Sequence, residues 1–271
     1  MIEIVNNTKK KILKEQFIPD NVFMYIVRGE ISFFDGNKSY TFKQGECGIG
    51  RKNCLAKYQI SDLYETFEPI LFCFDTPFVQ QFQKKYKYAQ PQKYKQDDAF
   101  IQIQQTARID DFIQSIKPYY KGVMLLDEAF EDLKYEELLI LLLQNEPELA
   151  GVFFDYAAPE KINLEAFMNR NFRFNVGVER FAYLTGRSLS AFKRDFNQIF
   201  QDTPSHWLVK QRLQEAYFLI ENKKKKSSDI YLELGFETLS HFSFAFKKHF
   251  GLNPTELNNN TCRSFALICN G

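Results

Sequence analysis

Residues 235–257 read GFETLSHFSFAFKKHFGLNPTEL, and this stretch decides the fold of the C-terminal part of the chain. After the glycine comes Thr238, which can cap a helix, and then apolar residues at helical spacing that end before Gly251. Glycine permits the left-handed backbone of a tight turn, so the second helix projects steeply from the first. The pattern predicts a helix-turn-helix unit, whose second helix fits the major groove of DNA.

A second stretch, residues 178–200, follows the same plan. Its sequence, VERFAYLTGRSLSAFKRDFNQIF, has a short helix, Gly186, and a longer helix. Between the two units, Thr203-Pro204 predicts the start of a connecting helix over Ser205–Glu221, because proline is favoured at the first helical position. One such unit is a weak indication of DNA binding, whereas two units joined by one helix are far more specific.

These stretches resemble the AraC/XylS family of transcription regulators, over about Ile162–Leu257. The ending FKKHFG, residues 246–251, is the strongest match. The resemblance implies sequence-specific binding to double-stranded DNA and activation through contact with RNA polymerase. It also implies an N-terminal cupin-like domain that senses an effector or dimerises, and the phenylalanine-rich N-terminal half followed by helices is similar to the ExsA-like subgroup.

The resemblance also implies which residues contact DNA. Polar residues lie on one face of each second helix, and in the first unit Phe192, Phe196 and Phe200 on the opposite face are expected in the core. Lysine and arginine can read guanine, and asparagine can read adenine. The predicted DNA-binding residues are Ser188, Ser190, Lys193, Arg194, Asn197, Thr238, Ser240, His241, Ser243, Lys247 and Lys248.

The second unit departs from the family pattern. A basic residue is common at the position of Phe244, and an aromatic one at that of His241. Phe244 either contacts a thymine methyl group or packs inward, so we expect the second helix to hold phosphates chiefly. His241 and His249 are eight residues apart, and we expect phosphate contact or packing for both rather than metal binding.

The N-terminal half predicts short strands over residues 17–75. Asp35-Gly36-Asn37 is a hairpin turn between two strands, and glycines over residues 45–50 indicate another turn. These features predict a small antiparallel barrel over about residues 1–90. Helical spacing then predicts a helical pair within about residues 97–146, over Asp97–Ile116 and Leu125–Gln144.

The predicted fold class is therefore α+β, with a cupin-like β-barrel and helical pair before an all-α double helix-turn-helix domain. We place a regulatory or dimerisation domain at residues 1–158 and the DNA-binding domain at residues 159–260. The helix Leu125–Leu143 either forms a homodimer seam or packs on the β domain. Eight aromatic residues either line a cavity for a small-molecule effector or fill the domain themselves: Phe17, Phe23, Tyr25, Phe33, Phe42, Phe67, Phe72 and Phe74. Control by a protein partner is the alternative to a small-molecule effector.

Charge is segmented along the chain. Residues 1–121 carry 18 basic and 14 acidic side chains, residues 122–158 carry one and nine, and residues 159–260 carry 15 and 11. A basic C-terminal part behind an acidic segment is compatible with DNA binding there. The longest apolar run, residues 138–143, is far short of the ~18–20 residues that cross a bilayer. With no signal pattern at the N-terminus, we predict a cytoplasmic protein without a membrane partner.

An enzyme is the main rival interpretation. Metal-dependent cupin enzymes bind their ion through histidines on barrel strands, but the three histidines of this chain, His206, His241 and His249, all follow residue 200. A Ser-His-Asp arrangement in the N-terminal half is excluded for the same reason, and the glycine-rich phosphate-binding motifs do not occur. We predict that the protein is not an enzyme and needs no cofactor or metal, with a cupin-type enzyme as the remote alternative.

Overall fold

The computed structural model describes residues 16–61, 66–89, 91–92, 94–95, 97–119 and 128–257. The chain divides into two compact units, the first ending at Ala157 and the second beginning at Ala158. The strands of the first unit are β1 (Phe17–Ile18), β2 (Asn21–Arg28), β3 (Glu30–Phe34), β4 (Ser39–Lys43), β5 (Cys47–Gly50), β6 (Cys54–Leu55), β7 (Lys57–Ile60), β8 (Glu68–Phe74) and β9 (Phe100–Ile103). Its α-helices are α1 (Thr76–Lys85), α2 (Ala107–Ile116), α3 (Glu128–Asn145) and α4 (Ala150–Phe153).

The strands form three antiparallel groups. A four-stranded sheet has the order β8-β2-β5-β9, a three-stranded sheet has the order β4-β3-β7, and β1 pairs with β6. The mixed class of helices and sheets is therefore confirmed. A closed cupin-like barrel is not confirmed, because the described strands belong to separate sheets.

The predicted hairpin turn at residues 35–37 is confirmed, whereas the turn predicted over residues 45–50 is wrong in part. Asp35 accepts hydrogen bonds from the amides of Asn37 (2.7 Å) and Lys38 (2.8 Å), which forms the β3–β4 hairpin turn as predicted. The turn expected over residues 45–50 is wrong in its second part, since Gly48 lies in β5. A Cβ atom at Gly48 would lie 2.7 Å from the carbonyl oxygen of Ile101, so glycine serves close packing there rather than a turn.

The helix expected from Asp97 begins ten residues later. Residues 100–103 form β9, which pairs with β5 in the register Cys47↔Ile103 and Gly50↔Phe100. The helix α2 starts only after Thr106, whose hydroxyl accepts a hydrogen bond from the amide of Ile109 (3.5 Å). Phe100 and Ile103 have helical spacing but lie in a strand, because the free edge of β5 pairs with residues 100–103.

The aromatic residues of this unit fill two hydrophobic clusters. Phe23, Tyr25, Phe72 and Phe74 belong to the cluster beneath the four-stranded sheet, and Phe42 belongs to the other, where Phe33 and Phe67 pack on it. Phe17 is also buried. Ring contacts are frequent, such as Phe23 with Phe72 at 6.5 Å and Phe33 with Phe100 at 4.2 Å between centroids. The rings thus pack against one another and against aliphatic side chains.

The helix α3 packs on the β domain through its apolar run. Leu138, Leu139, Leu142 and Leu143 are buried in the same cluster as the sheet residues, while Leu133 is 60% exposed. The expected start of this helix, residues 125–127, lies outside the described residues. Within the part of the chain that the structure describes, no helix is long and apolar enough to cross a bilayer.

The second unit is helical where it is described. Its helices are α5 (Leu164–Asn171), α6 (Val178–Leu184), α7 (Leu189–Phe200), α8 (Pro204–Lys223), α9 (Ser227–Ile230) and α10 (Leu239–Phe250). Thr203 caps α8, accepting a hydrogen bond from the amide of His206 (3.4 Å), and Pro204 is its first residue, as predicted. The C-terminal helical domain is therefore confirmed.

Candidate DNA-binding interface

The first helix-turn-helix unit consists of α6, a glycine turn and α7. Gly186 has a φ of 65°, and a Cβ atom there would overlap the backbone of Glu160. The buried hydroxyl of Thr185 lies within hydrogen-bonding distance of the carbonyls of Phe181 (2.9 Å) and Ala182 (3.0 Å), to which its one proton is donated. The turn is therefore held both by its own hydrogen bonds and by the chain that precedes α5.

The helix α7 is buried on one face and polar on the other. Phe192 and Phe196 are fully buried, as predicted, and Phe200 is half-buried, with its ring 4.6 Å from that of Trp207. Ser188 caps the helix and accepts a hydrogen bond from the amide of Ala191 (3.3 Å). The structure places the predicted contact residues of this unit on the exposed face or at its cap: Ser188, Ser190, Lys193, Arg194 and Asn197.

An acidic residue inside this face orients its arginine. Asp195 forms ion pairs with Arg194 (3.0 Å) and with Arg187 (3.2 Å), and hydrogen bonds from Arg187 and then Arg194 lower the pKa of its carboxyl group. The Arg187 side chain is only 8% exposed and also donates to the carbonyls of Thr185 (2.7 Å) and Ile162 (3.0 Å). The charged group of Arg194 is thus linked to the turn. Asp195 was not among the predicted site residues, although one acidic residue in a basic helical face was a usable signal.

The second unit differs from the first before its turn. The helix α9 has only four residues, and a turn from Tyr231 leads to Gly235, which has a φ of 83°. A Cβ atom at Gly235 would lie 2.8 Å from the carbonyl oxygen of Arg173. Thr238 then caps α10 by accepting a hydrogen bond from the amide of His241 (3.1 Å). The expected plan of helix, glycine, cap and helix is present, with a much shorter first helix.

The helix α10 buries Phe242 and Phe246 fully, whereas Phe244 is 70% exposed. Of the two alternatives for Phe244, inward packing is therefore wrong. The other predicted residues of this unit are exposed, except for Ser243, which is half-buried: Thr238, Ser240, His241, Lys247 and Lys248. They lie together on α10 or at its start.

The two second helices correspond residue by residue at a constant offset of 50. The caps Ser188 and Thr238 correspond, as do the buried pairs Phe192 and Phe196 in α7 and Phe242 and Phe246 in α10. By the same offset, Phe244 occupies the position of Arg194, and Ala245 that of Asp195.

The three histidines do not converge. The rings of His241 and His249 lie against those of Phe236 (5.6 Å) and Phe250 (4.6 Å), and eight residues of helix separate them by about 12 Å. His206 bonds Asp202 at 2.7 Å, and this hydrogen bond lowers the pKa of the Asp202 carboxyl group. Over the described ranges, no three His, Cys, Asp or Glu side chains are grouped as metal ligands.

One buried arginine joins the turn of the second helix-turn-helix unit to the segment between α5 and α6. Arg212, in the middle of α8, is 8% exposed and donates to the carbonyls of Phe172 (2.8 Å), Phe174 (2.7 Å) and Gly235 (3.0 Å). Burial lowers its pKa to about 10, so it stays protonated at neutral pH. Arg212 was not among the predicted site residues, although its position beside Leu213 on the apolar face of α8 indicates a buried charge.

The helix α8 also packs on both second helices. Near its start, the Trp207 ring lies 5.6 Å from that of Phe196, and towards its end Tyr217 stacks on Phe246 at 6.3 Å. The fold and this site therefore define a class: a regulator whose C-terminal domain carries two helix-turn-helix units on a shared helix.

Two family profiles match the chain. The ExsA N-terminal regulatory domain matches residues 21–152, and a helix-turn-helix domain matches residues 181–260. The chain belongs to the AraC family of transcription regulators, as the resemblance implied, with an N-terminal domain of the ExsA type.

Curated relatives are consistent with this family. The virulence regulon transcriptional activator VirF of Yersinia enterocolitica is 31% identical over 127 residues, which is 46% of this chain and 46% of VirF. The HTH-type transcriptional regulator ExsA of Pseudomonas aeruginosa is 28% identical over 125 residues, or 45% of each chain. The matched regions thus span less than half the length of these relatives. Both relatives are transcription regulators, which confirms the prediction that the chain is not an enzyme. Among solved structures, ToxT from Vibrio cholerae aligns over 90% of both chains with 14% identity and a TM-score of 0.43.

Proposed function

We propose that the protein is a sequence-specific DNA-binding activator of transcription, in which α7 and α10 enter successive major grooves of one duplex. The observation that carries this proposal is the pair of corresponding helices, each held by two buried phenylalanines and each turning polar side chains outward. A helix of this kind fits the major groove, which is about 12 Å wide. Activation is supported by the name of VirF, a transcriptional activator.

The connecting helix has a suitable length for this arrangement. The 20 residues of α8 extend about 30 Å, close to the ~34 Å of one turn of the duplex. Arg212 joins the segment between α5 and α6 to the turn of the second helix-turn-helix unit, and α8 packs on both α7 and α10, which supports a fixed spacing between those two helices.

In this proposal α7 contacts bases and the polar residues of α10 contact phosphates. In α7, Lys193 and Arg194 read guanine, Asn197 reads adenine, and Ser188 and Ser190 support them at the helix start. In α10, phosphate contacts are made by Thr238, Ser240, His241, Ser243, Lys247 and Lys248. Phosphate contacts fix the register of the protein on the duplex, and base contacts select the sequence.

The N-terminal half, residues 1–158, regulates and dimerises the protein in this proposal, and residues 159–260 bind DNA. A cupin-like arrangement of its sheets and a homodimer are part of it, with RNA polymerase as the partner in activation and the cytoplasm as the location. A protein effector is favoured over a small molecule because the aromatic residues of the first unit pack against one another, for example Phe72 with Phe112 at 5.6 Å.

The test is a gel shift in which the full chain and the fragment 159–260 are each mixed with duplexes selected from a random pool. We expect both to bind, since both helix-turn-helix units lie within the fragment. The double variant Arg194→Ala/Lys248→Ala should lose binding in both forms, while Gln214→Ala, at an exposed position of α8, should not. Specific binding by the full chain alone would show that dimerisation is required, and binding by neither would refute the proposal.

A further inference from the structure

We propose that Phe244 is a specificity-determining residue that reads thymine, with its ring against the 5-methyl group of that base in the major groove. This inference rests on the proposed DNA-binding function and deepens it. It assigns base recognition to α10, for which the polar residues alone suggest only phosphate contacts.

The position of Phe244 is the first observation. At 70% exposure it is the most exposed large apolar side chain of the described residues. At about 100° per residue, it points directly away from the buried pair Phe242 and Phe246. It also corresponds to Arg194 of α7, the residue best suited there to read a base. Phe244 thus stands where a recognition helix meets base edges.

The fold does not need this ring. The helix α10 is held by its Thr238 cap and by Phe242 and Phe246, and Gly251 ends it with a φ of 78°. Among the described residues, no aromatic contact involves the ring of Phe244. A large apolar surface that stays in water is unfavourable, and contact with another apolar group relieves this.

The neighbours of Phe244 indicate what covers it. Lys247 and Lys248 follow it on the exposed side of α10, and both are exposed. Two positive charges beside an apolar ring suit a polyanion that presents an apolar group between its phosphates. In the major groove that group is the thymine methyl, because the edges of guanine, cytosine and adenine present hydrogen-bonding atoms that a phenyl ring cannot pair.

The experiment uses the full chain and the tightest-binding duplex selected from a random pool. Each thymine of that duplex is replaced in turn by uracil, which pairs identically but lacks the 5-methyl group. We expect one thymine position, in the half contacted by α10, at which the wild type binds uracil about fourfold more weakly. Phe244→Ala should bind the thymine duplex about fourfold or more weakly, and should no longer distinguish thymine from uracil at that position.

Two further variants sharpen the test. Phe218→Ala removes another exposed phenylalanine, on α8, and should keep the thymine preference of the wild type. Phe244→Arg should shift the preferred base at the same position from thymine to guanine, because arginine pairs with guanine O6 and N7. Thermal unfolding of each variant confirms that it is folded, as expected at an exposed site.

Equal binding of thymine and uracil at every position would overturn this inference, as would a thymine preference that survives Phe244→Ala. In both cases the wild type still selects a duplex, so the proposed DNA-binding function stands. Failure of the wild type to select any duplex would instead refute the proposed function, and this inference with it.

Discussion

The helices α7 and α10 have the same scaffold and different outward chemistry. Both have 12 residues, begin after a hydroxyl cap, and bury two phenylalanines four residues apart. At the corresponding outward position one has Arg194 and the other Phe244. The comparison teaches that packing requires the cap and the buried pair, whereas the outward side chain is under no packing constraint and is available for recognition.

The two helices also differ in whether a neighbouring residue orients the outward side chain. In α7, Asp195 holds the guanidinium of Arg194 by an ion pair of 3.0 Å. In α10 the corresponding residue is Ala245, and a phenyl ring needs no such partner. A flexible charged side chain requires orientation to make two aligned hydrogen bonds with a base, while an apolar contact tolerates more freedom.

The largest expected effect comes from Arg212, the buried arginine of α8. Arg212→Met leaves the carbonyl groups of Phe172, Phe174 and Gly235 without this donor, so we expect the free energy of unfolding of the C-terminal unit to fall by roughly 3 kcal/mol. Urea unfolding followed by circular dichroism measures it, with Gln214→Ala as the matched control on α8. An unchanged urea midpoint for Arg212→Met would show that the stability of the C-terminal unit does not depend on these hydrogen bonds.

Replacement of a turn glycine by alanine should destabilise the protein more where less space surrounds the glycine. Alanine in a left-handed conformation costs about 1–2 kcal/mol, and steric overlap adds to this. Gly186→Ala meets the backbone of Glu160 and should destabilise most, followed by Gly235→Ala, whose Cβ atom meets the Arg173 carbonyl at 2.8 Å. Gly251→Ala, with no atom within 4 Å, should show only the conformational cost. The three urea midpoints test the order, and a lower midpoint for Gly251→Ala than for Gly186→Ala would contradict it.

Removal of the Arg194 side chain should weaken discrimination between DNA sequences. We expect Arg194→Ala to weaken binding to the selected duplex by roughly 1–3 kcal/mol and to relax preference at one or two positions. Ser243→Ala, half-buried at the corresponding place of Lys193, should matter less. Titrations against selected and scrambled duplexes measure both. Wild-type behaviour of Arg194→Ala together with lost discrimination by Ser243→Ala would reverse the assignment of roles to α7 and α10.

The smallest effect is expected from a phosphate contact. Lys248→Ala should weaken all duplexes alike and lower the slope of log affinity against log salt by about one, because one fewer counterion is released. Titrations at two salt concentrations provide the slope. A loss confined to the selected duplex would mean that Lys248 reads a base instead.

Much of the fold followed from local signals. The predicted turn Asp35-Gly36-Asn37 joins β3 to β4, and the Thr203-Pro204 start of α8 is where expected. The signals failed where long-range pairing decides structure: residues 100–103 are a strand because β5 lies beside them, and Gly48 belongs to β5 because it pairs with Met24 of β2. Neither neighbour is adjacent in sequence, so spacing alone had no means to reveal it.

The sequence by itself determined the family, the paired helix-turn-helix units and the polar face of α7, because caps, glycine turns and helical spacing are local properties of the chain. Only the tertiary structure decided which way Phe244 points, that Asp195 links Arg194 to the turn, and that Arg212 bonds the carbonyls of Phe172, Phe174 and Gly235. These features depend on which groups folding buries and which it brings within hydrogen-bonding distance. Burial and contact between residues far apart along the chain exist only once the helices have packed.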